Sequence, residues 1–448
     1  MILFLFEDYK LQKNFIECKD INGSGIERFG PSPLVTTLLR YSTTGEKFKN
    51  ADLKNILALP SNVDIPRYVI STGVAHSPYD WCGDDYTPAM KHRKNLFEYL
   101  NPKYLEDIRK GRALLLIDQS HEGYQPSDLW SWFHTNCTRY GIDPTSIIYV
   151  TGNIDCAENY KNWADSHGLI SRLLPVPNAH FENMIFTSAI NRVRIDHLPP
   201  LPNYKDQIKY KQENLHKIKD YNALQKRVRA HRIWLFKKLH DHGLFEHGIN
   251  TMNEFHWLSS HMEDRWISEE ECAELSKFTP MIPVDNPTPA HFDEFSSQDC
   301  GKYISDFYED ITLNTWVSVI SEAIYSDHDG ACFISEKSFK PIATCHPFII
   351  YGAKHSLKYI RSLGYKTFHP YIDESYDEMN SWDRMDAIIK EIIKIKNKTP
   401  EEKLEWYAQL KDILEFNYAK LKENSQELLP QSMLTVMDYA EERFKNVQ

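Results

Sequence analysis

The sequence has no long apolar run, few glycines and no paired cysteines, and each absence excludes a class of protein. No stretch approaches the roughly 18–20 apolar residues that a membrane-spanning helix needs. Only 17 of the 448 residues are glycine, which excludes collagen-like and glycine-rich low-complexity chains. The eight cysteines include no Cys-x-x-Cys pair, so we expect neither a zinc ribbon nor a disulfide framework, and a reducing cytoplasm fits best.

The first residues of the chain are apolar, but they do not have the form of a targeting segment. The run Met1–Phe6 ends at Glu7 and Asp8, without a basic leader or a small-residue cleavage site. We therefore expect a first buried strand rather than a signal peptide.

Charge is plentiful in the sequence and unevenly distributed. The chain carries 52 Lys and Arg against 63 Asp and Glu, a net charge of −11, which disfavours a surface that grips nucleic acid throughout. Residues 205–238 run against this trend, with 11 Lys and Arg against three Asp and Glu. A positive segment in an acidic chain indicates one anionic ligand held in one place.

Strand-like and helix-like segments alternate along the first half of the chain. Buried strands are predicted at residues 2–6, 68–71, 113–118 and 146–151, and amphipathic helices at 95–111 and 128–140. This alternation is typical of βαβ units and a mainly parallel sheet. The segment Leu198-Pro-Pro-Leu-Pro202 excludes helix and is the best domain boundary.

A second alternation follows this boundary. Residues 207–217 look polar and mobile; helices are predicted at 230–242, 313–323 and 339–345, and strands at 220–224, 331–335 and 347–351. Thr399-Pro-Glu-Glu402 predicts the capped start of a terminal helix. The sequence thus predicts an α/β protein of two facing Rossmann-like domains: residues 1–200, a linker at 201–216, a second domain at 217–398, and terminal helices at 399–448.

The most informative motif lies in the second half. It comprises Phe333-Ile-Ser-Glu-Lys-Ser-Phe-Lys-Pro341 and His346-Pro-Phe-Ile-Ile-Tyr-Gly352, followed by an acidic loop at residues 372–377. Ser335, Glu336 and Lys337 are predicted where a strand leads into a helix, whose first N–H groups would be free to bind a phosphate. Lys337 adds a full positive charge there, and Glu336 suits a bidentate contact to the hydroxyls of a ribose or sugar. An ordinary crossover with a solvated ion pair remains the alternative.

These residues resemble the donor-binding half of GT-B-type glycosyltransferases, most of all the alpha-1,3-fucosyltransferase group and related bacteriophage-encoded glycosyltransferase-like proteins. The resemblance covers about residues 217–396, less than half of the chain. It implies a GT-B-like fold with the C-terminal helices packing back on the first domain. It also implies that Lys337 contacts the diphosphate of a nucleotide sugar and that Glu336 lies near the ribose or base, with Ser335 and Lys340 in the same motif.

A cluster of cations follows the first strand of the second domain, where the resembling families place a diphosphate-binding arginine. The candidates are Lys226, Arg229 and Arg232, because a guanidinium fork matches phosphate oxygens. Arg229 is preferred since it lies nearer the loop, and Arg232 would support the helix or reach the second phosphate. A basic exposed helix end and a nucleic-acid patch remain open.

The candidate catalytic base lies after a buried strand of the first domain. Inverting sugar transfer needs a carboxylate or histidine that removes the proton of the acceptor hydroxyl. Glu122 and Asp118 could do this, with His121 as the substitute, although a plain polar loop is the alternative. Further candidates for the acceptor side are His76, His180 and Glu182.

The sequence thus predicts a metal-independent, inverting glycosyltransferase with no cofactor, which uses a nucleotide sugar as co-substrate. Asp327-His-Asp329 has the form of a metal-binding DxD motif, but such triplets arise by chance in so acidic a chain, and we expect no metal site. The acceptor would be a modified phage DNA base or a glycan, and the location the cytoplasm, that of the host if a phage encodes the chain. A catalytically silent nucleic-acid or virion-associated binding protein on the same fold and a nucleotide-dependent phosphosugar enzyme are the rivals.

Overall fold

The structure is a computed structural model, and its chain divides into two compact units. It describes residues 3–6, 67–73, 97, 100, 102–120, 123, 125, 128–182, 184–185, 189, 193, 199–225, 229–251, 270, 275, 307–325, 331–426 and 431–446. The first unit comprises Met1–His180, Asp329–Ala331 and Glu427–Gln448, and the second comprises Phe181–His328 and Cys332–Gln426. No helix within the described ranges is long and apolar enough to cross a bilayer.

A parallel five-stranded sheet forms the centre of the first unit. Its order is β1 (Leu3–Phe6), β2 (Tyr68–Gly73), β3 (Ala113–Gln119), β4 (Ile147–Thr151) and β5 (Leu174–Pro177). Every residue of β3 and β4 is buried. Strands that are buried on both faces appear in a sequence as continuous apolar runs, which is why the sequence located them.

Helices cover both faces of this sheet. They are α1 (Pro102–Arg109), α2 (Leu129–Tyr140), α3 (Cys156–Ser166) and, from the end of the chain, α12 (Gln431–Asn446). Leu115 of β3 packs in the cluster that contains α2 and α3, whereas its neighbour Leu116 packs with Met433 and Val436 of α12. Successive strand residues point to opposite faces, so these two clusters lie on opposite sides of the sheet.

The second unit contains a parallel four-stranded sheet. Its order is β7 (Gly248–Thr251), β6 (Lys219–Leu224), β8 (Thr315–Ser321) and β9 (Phe348–Tyr351). The helices of this unit are α4 (Tyr204–Glu213), α5 (Ala230–Asp241), α6 (Glu309–Leu313), α7 (Glu336–Ala343), α8 (Ser356–Ser362), α9 (Ser381–Lys396), α10 (Pro400–Gln409) and α11 (Lys411–Gln426).

Three predictions for the second unit are wrong. Residues 313–323, predicted as a helix, contain β8, because seven fully buried strand residues show no alternation that would distinguish them from a buried helix. Residues 331–335, predicted as a strand, join neither sheet. Residues 207–217, predicted to be mobile, contribute most of α4, whose Gln207 and Lys211 are completely buried.

The predicted start of a terminal helix is confirmed at α10. The Thr399 hydroxyl accepts a hydrogen bond from the Glu402 N–H (3.2 Å), and the Glu402 carboxylate accepts one from the Thr399 N–H (2.8 Å). Pro400 occupies the first helical position, where its missing N–H costs nothing.

Candidate functional site

The second unit contains a pocket at the carboxyl-terminal halves of β6 and β8. Open parallel sheets bind ligands at this end of their strands. The walls come from β6, β8, α6 and α7. The lining residues are Asn222, Leu224, Phe307, Tyr308, Ile311, Thr312, Ser318, Val319, Ile320, Ser321, Lys337, Lys340 and Pro341.

Asn222 and Ser318 place neutral polar groups in this pocket. They are register partners on β6 and β8, and the Asn222 amide donates hydrogen bonds to Thr315 Oγ1 (2.8 Å) and Ser318 Oγ (2.9 Å). These bonds fix the amide and leave its oxygen without a donor from any residue that the structure describes. The pair can therefore accept and donate hydrogen bonds to a hydroxyl or amide group of a ligand.

A buried carboxylate, Glu322, holds the turn that precedes α7. It is fully buried and accepts hydrogen bonds from the Ser335 N–H (3.1 Å), the Ser335 hydroxyl (2.6 Å) and the Ser338 hydroxyl (2.6 Å). Nothing local in the sequence identifies Glu322, because its hydrogen-bond partners lie 13 and 16 positions away along the chain. Glu322 thereby sets the position of the Ser335-Glu336-Lys337 turn.

Three N–H groups at the turn into α7 are already hydrogen-bonded within the protein, whereas the sequence led us to expect free ones. The Ser335 N–H is bonded to Glu322, the Lys337 N–H to Ser335 Oγ (3.4 Å), and the Ser338 N–H to the Ser335 carbonyl (3.3 Å). Protein acceptors thus already satisfy these backbone donors. Positive charge for an anionic ligand comes from lysine side chains instead.

Lys337 and Lys340 supply that charge, and Glu336 lies beside them. Lys337 Nζ donates to Glu336 Oε1 (2.8 Å) and Ser335 Oγ (3.1 Å), and Lys340 Nζ lies 4.8 Å from the centroid of the Tyr308 ring. Burial alone would raise the pKa of Glu336, but the charges of Lys337 and Lys340 outweigh it and hold this pKa at about 2. Glu336 is therefore ionised at neutral pH, and the three side chains together carry one positive charge.

Arg229 and Arg232, at the start of α5, donate hydrogen bonds to the backbone at the end of β8. Arg229 Nη1 donates to the Ala323 carbonyl (2.6 Å), and Arg232 Nη2 donates to the carbonyls of Ser321 and Glu322 (3.3 Å each). Arg232 is only 4% exposed. The sequence left two roles open for Arg232, support of the helix or contact with the second phosphate, and this geometry matches support of the helix. Neither arginine is among the described residues that line the pocket.

Asp118 belongs to a buried polar network at the carboxyl end of the first sheet. Its carboxylate accepts hydrogen bonds from the Ser120 N–H (2.9 Å) and the Ser120 hydroxyl. Asn178 donates to Ser120 Oγ (2.8 Å) and accepts from the Ser432 hydroxyl (2.8 Å), which joins β3, the end of β5 and α12. The sequence signal for Asn178 was present but unused: a polar residue directly after a strand that ends in proline.

His180 and Glu182 are two positions apart in sequence but belong to different units. The His180 N–H donates to the Asn178 carbonyl (2.9 Å) in the first unit. Glu182 is 7% exposed and accepts hydrogen bonds from the Tyr365 hydroxyl and the Asn424 amide within the second unit. Burial, followed by the charge of Glu182, raises the pKa of Tyr365 well above its usual value, so Tyr365 remains a donor.

Several candidates from the sequence lie outside the described residues: His76, His121, Glu122, Lys226, Asp327 and Asp329. Among the residues that the structure does describe, no group of three or more His, Cys, Asp or Glu could hold a metal ion.

Among the described residues of the basic segment at 205–238, several lysines are buried or paired with acidic side chains. Lys211 is completely buried and donates to Gln207 Oε1 (2.9 Å) and to the carbonyls of Thr312 (3.0 Å) and Leu313 (3.1 Å). Other lysines of the segment are paired, Lys209 with Glu213, Lys237 with Asp241 and Lys238 with Asp386. This arrangement weakens the support for a nucleic-acid surface.

Comparison with known proteins yields distant likenesses in structure, and the following two are among them. No protein-family model and no curated protein sequence matches the chain. An alpha,alpha-trehalose-phosphate synthase (UDP-forming) from Burkholderia vietnamiensis aligns with a TM-score of 0.42 and 10% identity, over 92% of this chain and 78% of that one. The N-terminal domain of trehalose-6-phosphate phosphatase from Candida albicans aligns with a TM-score of 0.41 and 13% identity, over 88% and 74%. At these TM-scores, neither likeness supports a conclusion about this chain.

Proposed function

We propose that the chain is a nucleotide-sugar-dependent glycosyltransferase of GT-B-like fold, whose second unit binds the donor in the pocket at β6 and β8. The observation that carries the proposal is the combination of two lysines, Lys337 and Lys340, with the neutral pair Asn222 and Ser318 in the lining of one pocket. A nucleotide sugar offers both an anionic diphosphate and many hydroxyl groups, so its chemistry matches both halves of this lining.

The lysines act on the leaving group in this proposal. As the bond between the anomeric carbon and the diphosphate breaks, negative charge grows on the diphosphate oxygens, and Lys337 and Lys340 stabilise it. Glu336 lies beside Lys337 but outside the pocket lining, and in this proposal it turns towards the donor and accepts hydrogen bonds from hydroxyls of the ribose or sugar. Arg229 and Arg232 hold the end of β8 in place, through which they position the pocket wall.

Calorimetric titration of UDP, GDP and ADP tests donor binding directly. Lys337→Ala removes a charge-assisted contact worth about 1.5–3 kcal/mol, so we expect about a 10- to 100-fold loss of affinity. Lys390→Ala is the matched control, because Lys390 is an exposed lysine of α9 in the same unit. Equal affinity in wild type and Lys337→Ala, or no binding of any nucleoside diphosphate, would refute the proposal.

Metal independence and inversion at the anomeric carbon are part of the same proposal. With two lysine charges at the leaving group, we expect turnover to continue in EDTA. Complete loss of turnover in EDTA, restored by Mn²⁺ or Mg²⁺, would instead assign a metal to Asp327 and Asp329.

The catalytic base is proposed to be Glu122, with Asp118 and His121 as the other candidates. Glu122→Gln keeps the side-chain shape and removes the proton acceptor, so turnover should fall by roughly 10²–10⁴-fold with donor affinity unchanged. The bonds from Asp118 to Ser120 suit a residue that shapes the loop. A large loss in Asp118→Asn with a normal rate in Glu122→Gln would transfer the role to Asp118.

The acceptor is proposed to be a modified phage DNA base or a glycan, and the enzyme to act in the cytoplasm. Mass spectrometry of both acceptor classes after incubation with a nucleotide sugar would identify the product. The rival, a non-catalytic nucleic-acid or virion-associated binding protein, rests on the basic segment at residues 205–238. It requires DNA affinity that falls steeply with salt, because binding would release counterions.

A further inference from the structure

Within the second unit, the cations of the pocket face an anion that belongs to the protein itself. Glu336 is 5% exposed, its carboxylate lies 2.8 Å from Lys337 Nζ, and the charge of Lys340 also lowers its pKa. Both lysines line the pocket, although Glu336 itself does not. A partly buried ammonium group is costly without a counter-charge, and Glu336 supplies that charge when no ligand is bound.

We propose that Glu336 makes the pocket selective for phosphate groups that carry a nucleoside or sugar, by opposing the entry of bare inorganic phosphates. This inference rests on the proposed function, since it assigns a role within the same pocket. A diphosphate that binds Lys337 must displace the Glu336 carboxylate or bind beside it, and either case adds repulsion between like charges.

Hydroxyl groups on the ligand offset this repulsion. Because Glu336 does not line the pocket, its carboxylate must turn away from Lys337 before a ribose or sugar next to the diphosphate can donate hydrogen bonds to it. Inorganic phosphate and pyrophosphate carry no such neutral donors and meet the repulsion alone. Discrimination therefore comes from an unfavourable interaction with the wrong ligand as well as from favourable contacts with the right one.

The test compares inorganic pyrophosphate with UDP by calorimetry in wild type, Glu336→Gln and Lys337→Ala. Removing one negative charge beside the diphosphate should tighten pyrophosphate binding about tenfold or more in Glu336→Gln. UDP should gain less, because the same change weakens the hydrogen bonds of its ribose. Glu401→Gln is the matched control, an exposed glutamate of α10 whose loss should change neither affinity.

The outcomes separate this inference from the proposed function. If UDP binding depends on Lys337 but Glu336→Gln leaves pyrophosphate affinity unchanged or weaker, the inference is wrong and the proposed function stands. If neither ligand binds the wild type, both are wrong. Should Glu336→Gln fail to fold, Glu336→Asp provides the same comparison with a shorter carboxylate withdrawn from Lys337: a several-fold gain for pyrophosphate supports the inference, and no gain overturns it.

Discussion

Replacement of Glu322 by glutamine should weaken both the fold of the second unit and the binding of its ligand. Glu322 is fully buried, and its two carboxylate oxygens accept three hydrogen bonds, two from Ser335 and one from Ser338. Glutamine preserves the shape of the side chain, so no cavity forms. It replaces one charged acceptor with an NH₂ donor, however, which must then face a group that also donates.

The expected loss of stability follows from these three bonds. A hydrogen bond to a charged group contributes about 1.5–3 kcal/mol, and a neutral one about 0.5–1.5 kcal/mol. Glu322→Gln loses at least one bond and weakens the others, so we expect the free energy of unfolding to fall by about 2–4 kcal/mol. Ser338→Ala removes only one donor and should cost about 1 kcal/mol.

The effect on binding follows from the contacts of Ser335. Its hydroxyl accepts from the Lys337 N–H (3.4 Å) and from Lys337 Nζ (3.1 Å), so a displaced Ser335 moves both groups. Pyrophosphate affinity should therefore fall in Glu322→Gln even at temperatures where the variant is fully folded. Urea denaturation and calorimetry on the two single variants and on Glu322→Gln/Ser338→Ala complete the cycle. Unchanged stability together with unchanged affinity would show that Glu322 does not hold this turn.

Two further predictions concern buried ionisable groups. The Lys403 ammonium lies 2.6 Å from the carboxylate of Asp220, and both side chains are largely buried. Lys403→Met leaves Asp220 buried without that cation, so the free energy of unfolding should fall by about 3 kcal/mol. In urea denaturation, adding Asp220→Asn to the Lys403→Met variant should recover part of this loss. His231 and His346 are buried, and burial, with nearby cationic side chains, lowers the pKa of each well below its usual value, so both stay neutral in the folded chain. Below about pH 6.5 the unfolded chain takes up these protons and the folded chain does not, so stability should fall by about 1.4 kcal/mol per pH unit for each histidine, and His346→Asn should remove one such contribution from the slope.

The sequence predicted β3 and β4, but it took the buried strand β8 for a helix, and it also failed where burial is polar. Strands β3 and β4 begin with unbroken apolar runs, whereas Ser318 interrupts the apolar residues of β8. Helix α4 was missed because it buries Gln207 and Lys211, residue types that normally lie at the surface. Gln207 donates to Thr312 Oγ1 (3.2 Å) and the Thr344 carbonyl (3.0 Å). Those partners are more than 100 positions away, so the local sequence does not indicate that this face of α4 is buried.

The pocket shows the same division between local and distant information. Lys337 and Lys340 were predicted because they follow a recognisable turn into a helix. Asn222 and Ser318 were not, although each is a buried polar residue between apolar neighbours of its strand. Burial of such a residue is costly unless it is hydrogen-bonded, so a lone polar residue in a buried strand is itself a sequence signal for a network or a site. Their pairing depends on the register of β6 and β8, which the sequence does not state.

The spacing of the charged residues on α7 and the placement of the start of this helix have different structural causes. Glu336, Lys337 and Lys340 lie within the first five residues of α7, so the helix alone fixes their mutual spacing. Glu322 lies 13 positions before Ser335 and is positioned at the end of β8, where its N–H bonds to the Tyr351 carbonyl of β9 (3.0 Å). The sheet therefore positions the start of α7, because Glu322 is fixed at the end of β8 and binds Ser335. The Ser-Glu-Lys motif grafted onto another helix would keep its charges in register but lose the carboxylate that anchors Ser335, and with it the placement of Lys337 at the pocket.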